Sequence, residues 1–262
     1  MKNIKILVAT HKRYEMPNDE MYLPIQVGSE GRESLGYQKD NTGENISIKN
    51  PYYCELSAVY WAWKNLNADY IGLAHYRRHF TCCKKIPKTE EEKFKIVLNS
   101  KQTEEILRKI DIILPKKRNY YIENLYSHYK NTMYVEPLNE TREIIKEKCP
   151  EYLEEFDKIK IRTSAHMFNM FIMKKEFLDS YCKWLFEILF ELEKRYNPKQ
   201  YDNFHARYLG RISELLLDVW VNTNNLKYEE VKVIDMQKVN WIKKGSAFLR
   251  AKFTGKKYQG SF

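Results

Sequence analysis

An α/β fold with a mostly parallel sheet flanked by helices is the class this chain predicts, and three observations carry that expectation. Short apolar runs of strand length alternate with longer amphipathic segments of helical period. Two of the runs end in histidine followed by basic residues, as strands do where they feed functional loops at one edge of an open sheet. The 262 residues show no internal repeat and no linker rich in Pro, Gly or Ser, so one domain over residues 1–240, with a basic tail at 241–262, accounts for the chain.

Ile4 to Ala9 is a nearly continuous apolar run that ends in Thr10-His11-Lys12, a first buried strand opening into a polar loop. Asn50-Pro51 is a helix start, because Asn can cap and Pro suits the first helical position. Leu56, Val59, Tyr60, Trp63 and Leu66 then recur at spacings of three and four, which predicts an amphipathic helix of about four turns. Trp61 and Trp63 cannot share a face of it. A second strand, Tyr70 to Ala74, follows at once. The charged stretch Lys84 to Lys95 reads as an exposed connection. Ile110 to Leu114, closed by Pro115, is a third strand, and His166 to Met173 a fourth. Between them Asn119 to Tyr129 and Leu138 to Phe156 are helical patches. Glu176 to Arg195 is the clearest helix, a further one runs from Asp202 to Asn222, and Val231 to Ile234 is a last short strand.

A formal charge of +10 implies attraction to an anionic partner. Beyond Asp235 no acidic residue occurs, whereas Lys238, Lys243, Lys244, Arg250, Lys252, Lys256 and Lys257 interleave with Trp241, Phe248, Phe253, Tyr258 and Phe262. The pattern suits an anionic membrane surface, with aromatics at headgroup level and cations on the lipid, and equally a solvated basic tail. Nucleic acid is disfavoured, because no helix-turn-helix, zinc or RNA-binding signature is present. Neither a secretory signal nor an apolar run of spanning length occurs, which predicts a cytoplasmic protein with at most peripheral contact to the membrane's inner face. Five cysteines without metal-ligand spacing read as free thiols.

The strand Tyr70–Ala74 runs straight into His75, Tyr76, Arg77 and Arg78. Two adjacent guanidinium groups at a strand's carboxyl end suit a phosphate or pyrophosphate, such as a sugar nucleotide supplies, through their forked donors. Pairing with acidic groups inside the fold is the other reading of the two arginines. His79 is expected to be structural. Glu214 lies amid Ile212, Leu215, Leu216 and Leu217, where a carboxylate either finds a partner such as Arg207 or Arg211 or has its pKa raised toward that of a general base.

Lys5–Lys12, Asn50-Pro51-Tyr52-Tyr53-Cys54-Glu55-Leu56, His75-Tyr76-Arg77-Arg78, Asn169–Met173 and Ser213-Glu214, in this order, resemble a family of bacterial capsular and exopolysaccharide synthesis proteins that long carried the label of a domain of unknown function. The resemblance covers Ile4 to Trp241. Its members are glycosyltransferases, some of them galactofuranosyltransferases. The resemblance implies a GT-A-like, Rossmann-type sheet binding a UDP-sugar at the carboxyl ends of its first strands. Thr10, His11 and Tyr14 would lie in the loop that holds the nucleoside, Asn50 and Glu55 would reach the ribose or sugar, and His75, Tyr76, Arg77 and Arg78 would face the pyrophosphate. His166 and Asn169 fall in the acceptor-binding segment. Catalytic candidates are Glu214 as the base, with Asp202 and Glu55 as substitutes for it, and His75. The implied acceptor is an undecaprenyl-diphosphate-linked glycan. The chain departs from the common pattern in having no Asp-x-Asp, the usual metal-binding motif, so the expectation is no metal cofactor, with Arg77 and Arg78 meeting the charge on the leaving diphosphate. A non-catalytic sugar- or nucleotide-binding partner in a polysaccharide assembly complex is the alternative.

Overall fold

The computed structural model describes residues 2–237, and the basic segment 241–262 lies outside the described residues. Ten strands occur in it, β1 (Ile4–Thr10), β2 (Tyr22–Gln26), β3 (Gln38–Lys39), β4 (Tyr70–His75), β5 (Arg78–Thr81), β6 (Ile112–Pro115), β7 (Arg118–Asn119), β8 (Ser164–Ala165), β9 (Phe171–Lys174) and β10 (Glu229–Asp235). The α-helices are α1 (Asn50–Tyr53), α2 (Leu56–Asn65), α3 (Glu90–Phe94), α4 (Ser100–Leu107), α5 (Leu125–Thr132), α6 (Glu136–Lys148), α7 (Leu153–Asp157), α8 (Lys175–Arg195) and α9 (Tyr208–Thr223). The described chain divides into two compact units, interleaved in sequence.

The first unit, residues 2–116, 168–183 and 227–237, holds the large sheet. β1 pairs parallel with β2 and β4, β2 with β3, and β6 with β10, while β5 and β9 run antiparallel to their neighbours. The sheet is therefore mixed, which corrects the expectation of a mostly parallel one. One cause is local: β5 follows β4 through the two-residue turn Tyr76-Arg77, and so short a link joins only antiparallel strands. β4 also forks, since Tyr70 to Leu73 pair with β9 whereas His75 pairs with Arg78 of β5. Gly72 permits the close approach of β9, because a Cβ there would lie 2.8 Å from both Ile172 Cγ1 and the Phe171 carbonyl oxygen. Ile6, Val8, Ala74, Phe80, Ile113, Ile172 and Ile234 form the core of this unit.

The expected four-turn helix after Asn50-Pro51 is two helices. Cys54 stands between α1 and α2 at φ 54°, ψ −133°, a conformation glycine adopts far more readily, and its amide still bonds the Asn50 carbonyl at 2.8 Å. Trp61 is buried with its indole N–H on Thr42 Oγ1 at 2.8 Å, and Trp63 is half-buried under the Lys64 ammonium. The charged stretch at 84–95 contains α3, capped by Thr89.

The second unit covers residues 117–167 and 184–226. It packs α6, α7 and α9 around Leu138, Ile144, Ile145, Phe156, Leu216 and Trp220, with the short β7–β8 ladder beside them. Arg142 grips Asp157 with two bonds of 2.7 Å. No helix among the described residues is long and apolar enough to cross a membrane, and the five cysteines are free thiols.

Candidate active site

The carboxyl ends of β1 and β4 lie side by side, in register at Ala9 and His75, and Thr10, His11, Tyr14, Tyr76 and Arg77 lie at these ends or in the segments that leave them. Thr10 is buried, and its hydroxyl donates to the Lys12 carbonyl at 2.7 Å, turning the chain out of the sheet. His11 and Lys12 are thereby exposed. Tyr76 is the hub of this edge. The rings of His11 and Tyr14 meet it edge-on at 5.5 and 5.1 Å, and the Lys12 ammonium and Arg77 guanidinium lie over its ring at 5.2 and 5.3 Å. Tyr14 is fixed in turn by its hydroxyl on Glu90 and by the Tyr37 hydroxyl on its carbonyl.

The two arginines divide. Arg78 faces Asp235 across the β5–β10 ladder, donates from Nε to Oδ1 at 2.9 Å, and lays its guanidinium over the Phe168 ring at 4.3 Å. It is an internal ion pair. Arg77 sits in the turn, exposed, with no carboxylate among the described residues paired to it.

Beside the fork of β4, three groups converge. Glu55 Oε1 accepts from Asn169 Nδ2 at 2.7 Å, and His75 Nε2 lies 3.8 Å from the same oxygen. His75 Nε2 also lies 3.1 Å from the Phe168 carbonyl oxygen, which can only accept, so the proton resides on Nε2 and Nδ1 of the neutral ring is an acceptor. Glu55 and His75 keep 13% and 19% of their side-chain exposure, enough for contact with a small ligand. The backbone around them is strained: Cys54, Phe168 and Asn169 all have positive φ. Non-glycine residues so placed cost about 1–3 kcal/mol each and persist only where the surrounding fold over-determines them.

Asn50 is spent on structure. Its amide donates to the Cys54 carbonyl at 2.7 Å and to Ser57 Oγ at 3.1 Å. Behind it the buried Asp40 carboxylate accepts from the amides of Gly28 and Ser29 and from the hydroxyls of Ser29, Ser47 and Ser57, tying the 27–47 loop to α2. Sequence reasoning missed Asp40, Cys54 and Asp235. Only the serines spaced around an isolated Asp hinted at the first.

The remaining candidates belong to the second unit. His166 is fully buried, with its ring Nδ1 and its amide both on the Asp218 carboxylate. Glu214 is buried and meets Arg211 Nη1 at 3.4 Å, the ion-pair reading of that helix. Asp202 is exposed and caps the turn that follows it. The His205 side chain and the amides of His205 and Phe204 bond it, and they hold its carboxyl below the ordinary range, unlike a base poised near neutrality. Among the described residues no group of three or more His, Cys, Asp or Glu side chains is arranged to hold a metal ion.

A carboxylate–imidazole–amide cluster bordered by strained backbone thus lies at the carboxyl end of β4, where open α/β sheets generally bind their ligands. The chain belongs to the family described as Domain of unknown function (DUF4422), which matches residues 5–225. It is also similar to a solved structure described as the apo form of WbbM, a bifunctional glycosyltransferase, at 31% identity over 90% of this chain with a TM-score of 0.82. The chain spans just under half of that protein, 46% of its length. No curated protein matches the chain.

Proposed function

We propose that this chain is a glycosyltransferase of GT-A-like architecture that binds a nucleotide-activated sugar at the carboxyl ends of β1 and β4. The observation that carries this reading is the Glu55–His75–Asn169 cluster at the carboxyl end of β4, with the exposed Arg77 in the turn that follows; the similarity to a glycosyltransferase supports the chemical class. In this reading Tyr76, His11 and Tyr14 form the aromatic floor for the nucleoside, and Arg77 and Lys12 meet the diphosphate. Fixed cations at that position stabilise the leaving diphosphate as the glycosidic bond breaks. Glu55 and His75 face the sugar, and one of them accepts the proton of the attacking hydroxyl, with Asn169 holding the Glu55 carboxylate in place. Transfer without a divalent metal belongs to the same reading. The donor is proposed to be a UDP-sugar such as UDP-galactofuranose, and the acceptor a lipid-linked glycan of capsule, exopolysaccharide or O-antigen synthesis.

Release of nucleoside diphosphate from a panel of nucleotide sugars, with a lipid-linked acceptor mixture and with or without chelator, tests this. Release from one donor, unaffected by chelation and reduced about a hundredfold or more in Glu55→Gln, is the expected result. Strict dependence on added manganese would overturn the metal-free part. Tight nucleotide binding with no turnover on any acceptor would favour a binding protein.

A further inference from the structure

We propose that the 117–122 and 158–163 segments of the second unit form a docking surface for an anionic lipid bilayer. Tyr121, Ile122 and Ile161 are 84%, 55% and 76% exposed, and exposed apolar side chains point to an interaction surface where they cluster. They belong to one patch, because the two segments are stitched together. β7 pairs with β8, the Tyr120 amide bonds the Thr163 carbonyl at 2.8 Å, and the Leu125 amide bonds the Arg162 carbonyl at 2.8 Å. Beneath the tip, the buried Glu123 carboxylate takes bonds from Asn131 Nδ2 at 2.7 Å and His128 Nδ1 at 3.2 Å. The Tyr120 ring packs on His128 at 4.0 Å between centroids, and the Arg118 guanidinium lies over Tyr120 at 5.2 Å. Tyr121 itself is held at φ 54°, a conformation rare for an aromatic residue, so the fold presents this side chain outward against its backbone preference.

The charge around the apolar tip selects the partner. The two segments carry Lys117, Arg118, Lys158, Lys160 and Arg162 and no acidic residue; Lys158, Lys160 and Arg162 are ion-paired with Glu154, Glu155 and Asp157, which leaves Lys117 and Arg118 as the cations of the two segments with no carboxylate partner among the described residues. A tyrosine and two isoleucines on segments that also carry these two unpaired cations match a headgroup layer, where the apolar groups enter the acyl boundary and each nearby cation adds attraction to anionic lipid. This surface is distinct from the basic 241–262 segment and does not depend on the proposed catalytic reading, since it can be assayed with no sugar nucleotide present.

The test uses the full chain. Tyr121→Trp is mixed with vesicles of neutral lipid alone or with about 30% phosphatidylglycerol, either plain or carrying brominated acyl chains, and its fluorescence is compared with that of wild type. Excess quenching of the new tryptophan in anionic brominated vesicles is expected. In parallel, cosedimentation of Tyr121→Ser/Ile122→Ser/Ile161→Ser should fall about tenfold with its melting temperature unchanged. No vesicle binding by wild type overturns the proposal, as does binding that survives the triple substitution without excess quenching, which would assign it to the 241–262 segment. Loss of self-association in the triple variant with vesicle binding intact would make the patch a protein interface and overturn it too.

Discussion

Arg77 and Arg78 are neighbours in sequence with opposite fates, because a hairpin turn exposes the first and starts a strand with the second. Arg77→Ala should leave stability within about 0.5 kcal/mol and weaken nucleotide binding, whereas Arg78→Ala strands Asp235 and uncovers Phe168, costing about 2 kcal/mol. Thermal denaturation beside a nucleotide titration separates the two, and equal losses of stability would refute the split. His79 gives a second contrast. It is buried against Tyr22 and Phe94, and burial pushes its pKa down to about 3. The folded state thus disfavours a proton that the unfolded chain accepts near pH 6.5, so this contribution to stability is complete above that value and is lost as the pH falls toward 3. His79→Leu should flatten the melting-temperature profile across that window, and an unchanged slope would show that other groups govern it.

At the scale of elements, the kink between α1 and α2 sets Glu55 beside Asn169 and His75, and two devices hold it. Asp40 knits five donors together, and Asp40→Ala leaves buried hydroxyls and amides without an acceptor, a loss of at least about 3 kcal/mol that a denaturant titration would register. Cys54→Gly relieves the positive φ and should raise stability by up to about 1 kcal/mol with the site intact, whereas destabilisation would mean that the Cys54 side chain matters more than its backbone. These devices explain what was readable beforehand. β1, β4, β6, α8 and α9 are buried elements whose apolar periodicity shows directly. β2 escaped notice because Pro24 interrupts it, and β5 because Arg-His-Phe-Thr looks like a basic loop until a partner strand is known. The α1–α2 break has neither Gly nor Pro to mark it. Of the site, His75, Glu55 and Asn169 were legible as residues, but their convergence depends on β9 lying against β4, a tertiary pairing that no local pattern contains.

For the molecule as a whole, charge and connectivity set the behaviour. The carboxyl of Asp157 is held below its ordinary range chiefly by Arg142, so that pair stabilises the fold above the unfolded carboxylate range and fades as the pH drops through the folded value. Arg142→Ala should lower the melting temperature at pH 7 more than at pH 3, and equal losses would assign Arg142 a packing role only. The large sheet imposes a different constraint. β10 lies between β5 and β6, although more than a hundred residues separate it from either of them in the chain. During synthesis, β5 and β6 therefore wait with open edges, and Arg78 waits for its carboxylate, until nearly all of the described chain has emerged. The sheet beneath the proposed site is complete only when its last strand arrives, so a nascent chain halted before residue 229 would expose sticky strand edges and call for chaperone cover.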